Sequence, residues 1–156
     1  MAGTANMAAA DGVTGGQIIS PISITPLLAL QFGAIVQPQT GGTVTISPIS
    51  AIGVTTDLGA AVAITQPILR RAAAFRVTGE ANARYTVTLP ATIQLSNGSA
   101  TMTVSAFTSS LSLASGIGQI SAIGTHIFQV GATLSVAAGQ AVGSYSGTYP
   151  VTVQYQ

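Results

Sequence analysis

Few side chains in this sequence could carry acid–base, nucleophilic or metal chemistry. The 156 residues include one His, three acidic residues, four Arg and no Cys. A single His without Cys cannot supply the ligand cluster of a zinc site. Ser–His–acid catalysis would need His126 beside Asp11, Asp57 or Glu80, and the spacing assigns no pair of carboxylates such as a glycosidase needs. We therefore expect no enzymatic activity, no metal site and no cofactor.

His126 stands at the start of a run in which every second residue is apolar. The members of this run that follow it are Phe128, Val130, Ala132, Leu134 and Val136. Alternation of this kind indicates one or two strands with a single buried face. The pattern favours a structural histidine at a strand end over a general base.

Charged side chains make up only 4% of the chain, with a formal net charge of +1. Nucleic-acid binding depends on clustered cations, so we expect no nucleic-acid partner. Soluble β proteins usually carry Lys and other charges at sheet edges, which prevents edge-to-edge pairing. A β protein without this protection is expected to function in an assembled state. No apolar run reaches the roughly 18 residues of a membrane span, so we expect no transmembrane segment.

The distribution of apolar and polar residues is typical of a single all-β domain, a sandwich or barrel. Eighteen Gly and seven Pro separate short runs in which apolar residues alternate with Thr and Ser. The middle of the chain is the hardest part to interpret, and its three successive alanines could form a helical turn. We predict strands at 43–46, 49–57, 75–79 and 84–89, and the helical turn at 72–74.

A longer alternating stripe of apolar residues extends from Ile18 to Val36 and is interrupted at Pro26. One continuous strand of that length would be unusual. Proline also has no N–H group to donate to a β-ladder. The sequence therefore predicts one strand near 17–25 and a second near 27–36.

The dipeptide Asn97-Gly98 predicts the tip of a β-hairpin. Asn-Gly is the preferred sequence for a two-residue type I′ turn, because both positions need positive φ. Counting outward from that turn pairs Leu95 with Ala100 and Ile93 with Met102. The apolar residues of both strands would then lie on one face.

The last eight residues alternate as a half-buried strand does. Tyr149, Val151, Val153 and Tyr155 are large and apolar or aromatic, whereas the residues between them are Pro, Thr or Gln. β-branched and aromatic residues suit a pleated surface. The alternation alone is equally consistent with the ordinary final strand of a β-sandwich.

Two resemblances to known families follow from these segments. The end of the chain resembles the carboxyl-terminal motif of chaperone–usher pilus subunits, an alternating strand with a penultimate Tyr and a Gly fourteen residues from the end. Here those residues are Tyr155 and Gly143. From about residue 18 onward the chain also resembles a bacterial family of exported, fimbria-like β-sandwich proteins with no assigned function. The segments that carry this second resemblance are 30–36, 74–85, 101–104 and 145–149.

The resemblance to pilus subunits implies an immunoglobulin-like β-sandwich that lacks one strand and is completed by a neighbouring subunit. Residues 1–25 would form an N-terminal extension, and 26–156 the sandwich. The acceptor groove and the strand that pairs with a chaperone would include Gly143, Tyr149, Val151, Val153 and Tyr155. The donor strand would lie around 17–25, with Ile18, Ile22 and Ile24 facing the groove. An alternative register uses Met7, Ala9 and Val13 and leaves residues 17–36 in their own domain.

The implied function is that of a structural subunit in a filament at the bacterial cell surface. Its partners would be copies of itself and, during assembly, a periplasmic chaperone and an outer-membrane usher. Two alternatives remain open from the sequence. One is a secreted β-sandwich adhesin that binds sugars or proteins, and the other is a surface-matrix protein that associates without strand exchange.

Overall fold

The computed structural model describes residues 7–49, 70–111 and 116–156, together with the backbone of 54–57 and 63–64. Every regular element in these ranges is a β-strand, and every strand pairing is antiparallel. The prediction of an all-β protein is therefore confirmed. The strands are β1 (Ser23–Leu28), β2 (Ala34–Ile35), β3 (Gly42–Ile46), β4 (Val54–Asp57), β5 (Ala63–Ile64), β6 (Ala73–Thr78), β7 (Arg84–Thr88), β8 (Thr92–Ser96), β9 (Thr101–Ser109), β10 (Ile117–Gln119), β11 (Thr125–Val136) and β12 (Thr152–Tyr155).

Two sheets form the body of the domain. A seven-stranded sheet has the path β1-β6-β11-β3-β4, and β9 and β8 extend it from the other side of β11. A three-stranded sheet has the order β10-β7-β12, and β2 pairs with β5 in a separate two-stranded ribbon. The sheets curl into a half-barrel, which is consistent with the predicted β-sandwich.

The twelve-residue strand β11 is the centre of the large sheet. It pairs with β6 through its first half, with β3 through its second half, and with β9 from Val130 to Ser135. Its even-numbered residues from Phe128 to Val136 are all buried. The predicted inward-facing stripe is thus confirmed, and it lies on one long strand.

The buried side chains form two clusters. The first cluster lies against β3, β9 and the end of β11, and comprises Phe32, Val44, Ile46, Ala72, Val104, Ala132, Leu134 and Val136. The second cluster lies between the large sheet and the three-stranded sheet, and comprises Ala73, Val77, Tyr85, Ile120, Phe128 and Val130. Leu30 and Phe107 are partly buried and pack against both clusters.

The predicted break at Pro26 is wrong, because β1 continues through this residue to Leu28. Pro26 stands opposite Phe75, and the register shifts before Leu28 pairs with Ala74. The strand tolerates proline because β1 is at the edge of its sheet, where one side of the backbone needs no ladder partner. Of the second strand predicted at 27–36, only β2 is a strand beyond Leu28.

The predicted helical turn at 72–74 is also wrong. Ala73 and Ala74 are the first residues of β6, and Ala72 is buried with them. Their small side chains occupy core positions between the two clusters, so they resemble a helical segment only in composition. The strand predicted at 49–57 is described from Val54 onward, where it forms β4, and residues 58–62 and 65–69 lie outside the described residues.

The hairpin is confirmed at the predicted place but with a different register. Ser96 pairs with Thr101 and Leu95 with Met102, so the loop contains four residues rather than two. Gly98 has a φ of 96°, whereas Asn97 is not among the residues with positive φ. The Asn97 Oδ1 instead accepts hydrogen bonds from the N–H groups of Ser99 (3.0 Å) and Ala100 (2.7 Å), an Asx-type turn. The pairing shifts by two residues, so the apolar residues keep their face.

We predict that Gly131→Ala destabilises the fold. A Cβ at this position would overlap the carbonyl oxygen of Ile46 and lie 2.9 Å from the backbone nitrogen of Pro48. Both obstacles are backbone atoms, so relief requires separating strands, and overpacking of this kind typically costs about 1–3 kcal/mol. Urea unfolding measures the change. Gly12→Ala is the matched control, since a Cβ there meets nothing within 4 Å; equal stability of the two variants would contradict the prediction.

Candidate functional site: an open groove beside the C-terminal strand

The C-terminal strand β12 lies at an edge of the three-stranded sheet. It pairs with β7 from Thr152 opposite Thr88 to Tyr155 opposite Tyr85. Within the part of the chain that the structure describes, its other edge has no strand partner. The strand is shorter than the alternating segment, but Tyr149, Val151, Val153 and Tyr155 all pack against the second cluster. The four residues predicted for the acceptor strand therefore face inward together. Of these four, only Tyr149 also lines the open groove described below, and Val151, Val153 and Tyr155 are not among its lining residues.

Tyr149 lies where the C-terminal segment passes from one cluster to the other. Its ring centroid is 5.2 Å from that of Phe107, and its edge meets Phe75 at 6.3 Å. Burial of the phenol raises the pKa of Tyr149 to about 12, so the ring stays neutral at physiological pH. The residue forms one end of an open groove.

This groove has a volume of about 530 Å³. Its two walls are the segment after β1 (29–38) and the segment before β12 (140–149). Its floor is the apolar face of β8, β9 and β11, formed by Ile93, Leu95, Met102, Val104, Leu134 and Val136. No charged side chain is present among the described residues that line it. The groove thus lies over the first cluster, whose partly buried neighbours Ile93, Leu95 and Met102 line it, whereas the three-stranded sheet packs over the second cluster.

The backbone of the second wall is largely unpaired. Among the described residues, 141–150 make backbone–backbone hydrogen bonds only at Ser146, whose N–H and C=O bond Ser96 at 3.0 and 2.9 Å. Extended backbone with free N–H and C=O groups can accept an additional strand. The groove therefore has an apolar floor and, along its second wall, backbone groups that could hydrogen-bond to an added strand.

Two glycines bring this wall close to the β8–β9 hairpin. A Cβ on Gly143 would lie 2.9 Å from the side-chain nitrogen of Asn97, and its φ is 153°. A Cβ on Gly147 would lie 2.7 Å from the carbonyl oxygen of Gln94. Any larger residue at Gly147 would clash with the backbone of β8 and force the wall away from it. Gly143, predicted from its spacing to the C-terminus, therefore borders the groove for a steric reason.

Glutamine side chains connect the walls at one end. Gln37 Nε2 donates to the carbonyl oxygens of Gly139 (3.3 Å) and Gln140 (3.0 Å). Gln140 Nε2 donates to the carbonyl of Thr101 (3.2 Å) and the hydroxyl of Tyr145 (2.9 Å). These uncharged bonds hold the groove open at a defined width without placing a charge in it.

The hydroxyl of Tyr155 joins three parts of the chain. It donates to the carbonyl of Ser20 (2.5 Å) and accepts from the N–H of Glu80 (2.7 Å). The N–H of Ser20 in turn donates to Glu80 Oε2 (3.0 Å). We call this triad, Ser20, Glu80 and Tyr155, the Tyr155 clamp. The penultimate Tyr was predicted as a groove residue, and its role in fixing the N-terminal segment was not foreseen.

The three predicted donor residues are found in two different environments. Ile22 and Ile24 are partly buried against the second cluster of their own domain, on either side of the start of β1. Ile18 is fully exposed, and so are Met7 and Val13 of the alternative register. Residues 7–20 are all exposed and contain no strand. In this chain, the segment that is free of its own domain ends near Ile19.

His126 is the second residue of β11, and its ring contacts Tyr85. The Tyr85 hydroxyl lies 2.6 Å from His126 Nδ1, and burial raises the pKa of Tyr85 to about 12. The protonated phenol can donate to Nδ1 in the tautomer of the neutral ring that carries its proton on Nε2. Burial also lowers the pKa of His126 below its usual value of 6.5.

Metal and membrane features were searched in the same described ranges. They contain no group of three or more His, Cys, Asp or Glu residues placed to bind a metal ion. They also contain no helix long and apolar enough to cross a membrane.

The structure thus defines a β-sandwich of half-barrel form with an open apolar groove between the segments 29–38 and 140–149. A family model, described as Domain of unknown function (DUF4402), matches residues 22–155. The chain belongs to this family. Comparison with curated proteins and with solved structures gave no match.

We predict that Val153→Asp destabilises the domain strongly. Val153 packs against the second cluster and pairs with Val87, and a carboxylate there would lack a partner, at a cost of several kcal/mol. Thermal unfolding followed by circular dichroism measures the loss. Gln154→Asp is the control, because Gln154 is exposed on the opposite face of the same strand. Similar melting temperatures for the two variants would show that β12 does not face the core.

The lowered pKa of His126 predicts a pH-dependent stability. The folded state favours the neutral ring, so its contribution is complete above the unfolded-state pKa of 6.5. It is lost as the pH falls toward the folded pKa, because the unfolded chain binds the proton first. Urea unfolding between pH 8 and 5 should show falling stability, and His126→Asn, which retains an acceptor for Tyr85, should flatten the curve. A slope unchanged by that substitution would assign the effect to another group.

Proposed function

We propose that this protein is a structural subunit of an extracellular bacterial fimbria and polymerises by donor-strand complementation. In this mechanism the N-terminal extension of one copy adds a strand to the groove of the next. The observation that carries the proposal is the open groove, with an apolar floor and a wall at 141–150 whose backbone makes backbone–backbone hydrogen bonds only at Ser146.

The groove matches an extended apolar strand better than a compact polar ligand. Six floor residues come from three adjacent strands, so they form a strip rather than a pit. A strand lying along the wall would pair with its N–H and C=O groups and direct alternate side chains onto the floor. Burying three or four aliphatic side chains there contributes about 1.5–3 kcal/mol each.

The same chain carries a segment suited to that role. Residues 7–18 project from the domain and include Met7, Val13 and Ile18 as large, almost fully exposed apolar side chains, and Ile19 at the end of the segment is 44% exposed. Such residues gain nothing in the isolated subunit. Inserted into a neighbouring groove, they would be removed from water, and the ladder bonds would add about 0.5–1.5 kcal/mol each.

Donor and acceptor surfaces lie on different parts of the subunit, so the contact is heterologous. Repetition of a heterologous contact that does not close produces a filament. The open groove and the uncharged edge of β12 would also favour aggregation before assembly. A periplasmic chaperone that covers this edge, and an outer-membrane usher that receives the subunit, are therefore part of the proposal, together with export to the cell surface.

The polymerisation test uses a substitution in the groove floor. Leu95 lines the open groove and Val153 does not, so the carboxylate of Leu95→Asp can remain in contact with water in the free subunit and would be buried only when a donor strand enters. We therefore expect folded monomers that form no filaments in negative-stain electron microscopy. Gln94→Asp is the matched control, since Gln94 is the neighbouring residue on the opposite, exposed face of β8. Circular dichroism confirms that both variants fold. Normal filaments from folded Leu95→Asp protein would contradict donor-strand insertion in this groove.

Deletion of residues 1–19 gives a complementary prediction. The truncated subunit keeps the groove but has no free extension, so it can accept a donor strand and cannot provide one. Added to wild-type protein, it should shorten filaments in proportion to its mole fraction. Filaments of unchanged length would mean that the extension is not the connecting element.

A further inference from the structure

The geometry points to the Tyr155 clamp as the device that fixes how much of the N-terminus can be given to a neighbour. The transferable segment ends at Ile19, and the hydroxyl of Tyr155 is the positioning group that holds the chain from Ser20 onward in its own domain. This inference rests on the proposed function and deepens it, since it identifies the part of the second copy that enters the groove.

The clamp contacts the chain immediately before β1. Tyr155 accepts the Glu80 N–H and donates to the Ser20 carbonyl, while Glu80 accepts the Ser20 N–H. Both backbone polar groups of Ser20 are therefore hydrogen-bonded, the N–H to Glu80 just beyond β6 and the carbonyl to Tyr155 of β12. Residues preceding Ser20 are exposed, and Ile22, two positions after it, packs against the second cluster. The change from free to fixed chain coincides with the clamp.

Gly79 leaves space for the Tyr155 hydroxyl. A Cβ on Gly79 would overlap this oxygen, so only glycine leaves room for it beside Glu80. The ring is held at its other end by pairing of Tyr155 with Tyr85, and the Gln156 N–H donates to the Arg84 carbonyl. The backbone of Tyr155 is thus fixed in the three-stranded sheet, and its hydroxyl contacts the chain next to β1 and β6 at the edge of the large sheet.

The strand that follows the clamp, β1, is already paired along its length with β6 of its own domain. β1 pairs with β6 from Ser23 opposite Thr78 to Leu28 opposite Ala74. Donating residues 20–25 would break this ladder, the three clamp bonds and the packing of Ile22 and Ile24. Donating 7–19 breaks none of these contacts. The predicted donor residues Ile22 and Ile24 are therefore assigned to the home domain, and Ile18 to the transferable segment.

A reversible disulfide tests this boundary directly. Ser23 and Thr78 are paired and exposed, and the natural chain has no Cys, so Ser23→Cys/Thr78→Cys can fix β1 to β6 without side reactions. We expect filament growth, followed by light scattering and electron microscopy, at equal rates in the oxidised and reduced forms. If oxidation stops growth and reduction restores it, β1 is itself the donor and the inference is wrong, while donor-strand assembly stands.

Removal of one hydroxyl tests the clamp in the unassembled subunit. In Tyr155→Phe, hydrogen exchange of the Ser20 and Glu80 amides should accelerate at least several-fold, whereas Tyr145→Phe, which loses hydrogen bonds in the groove wall, should leave both unchanged. Filament growth of Tyr155→Phe should slow and should recover when the Ser23–Thr78 disulfide is added and oxidised. Unchanged exchange at both amides would overturn the inference, and this result does not depend on whether filaments form at all.

Discussion

The apolar face of the large sheet is longer than the three-stranded sheet that packs on it, and the rest of the structure depends on this mismatch. Strand β11 contributes Phe128 and Val130 to the second cluster and Leu134 and Val136 to the first. Strands β10, β7 and β12 cover only the second cluster. Over the first cluster, two extended segments stand apart and leave an opening of about 530 Å³. A stable sandwich would be expected to close such a gap with one more strand.

The proposed function also explains why the described residues that line the groove carry no charge. If the groove receives an apolar strand, as proposed, charged lining residues would be unfavourable, because each would be buried without a partner. The described lining residues follow that rule and use Gln, Ser and Tyr for their polar contacts. Polar but uncharged side chains form hydrogen bonds within the walls, and covering them costs less desolvation free energy than covering a charge. The low content of charged residues also leaves few charges to prevent edge-to-edge pairing of the sheets. This is consistent with the proposal that the protein functions in an assembled state.

Features that depend on local periodicity could be predicted from the sequence, and features that depend on distant contacts could not. The stripe on β11 and the inward face of the C-terminal strand follow from alternation, which reports which side of a strand is buried. Pairing shifts by two residues do not change that side, so the alternation could not distinguish a two-residue loop after Ser96 from the observed four-residue one. A bulge hides alternation altogether. Ala106 has a φ of 52° beside a register shift, and so Val104 and Phe107, of opposite parity, both face the core.

The C-terminal motif is better understood as two fixed contacts than as a strand. At its start, Gly143 has a φ of 153° and lies beside the Asn97 side chain, and Gly147 lies so close to the Gln94 carbonyl that a side chain there would displace backbone. At its end, Tyr155 reaches Ser20 and Glu80 across the gap between the sheets. The spacing between Gly143 and Tyr155 is thus the length of chain needed to run along the groove wall and cross to the three-stranded sheet. A residue inserted between them would shift Tyr155 to the opposite face of β12, which would separate the clamp from the N-terminal segment even if the strand still formed.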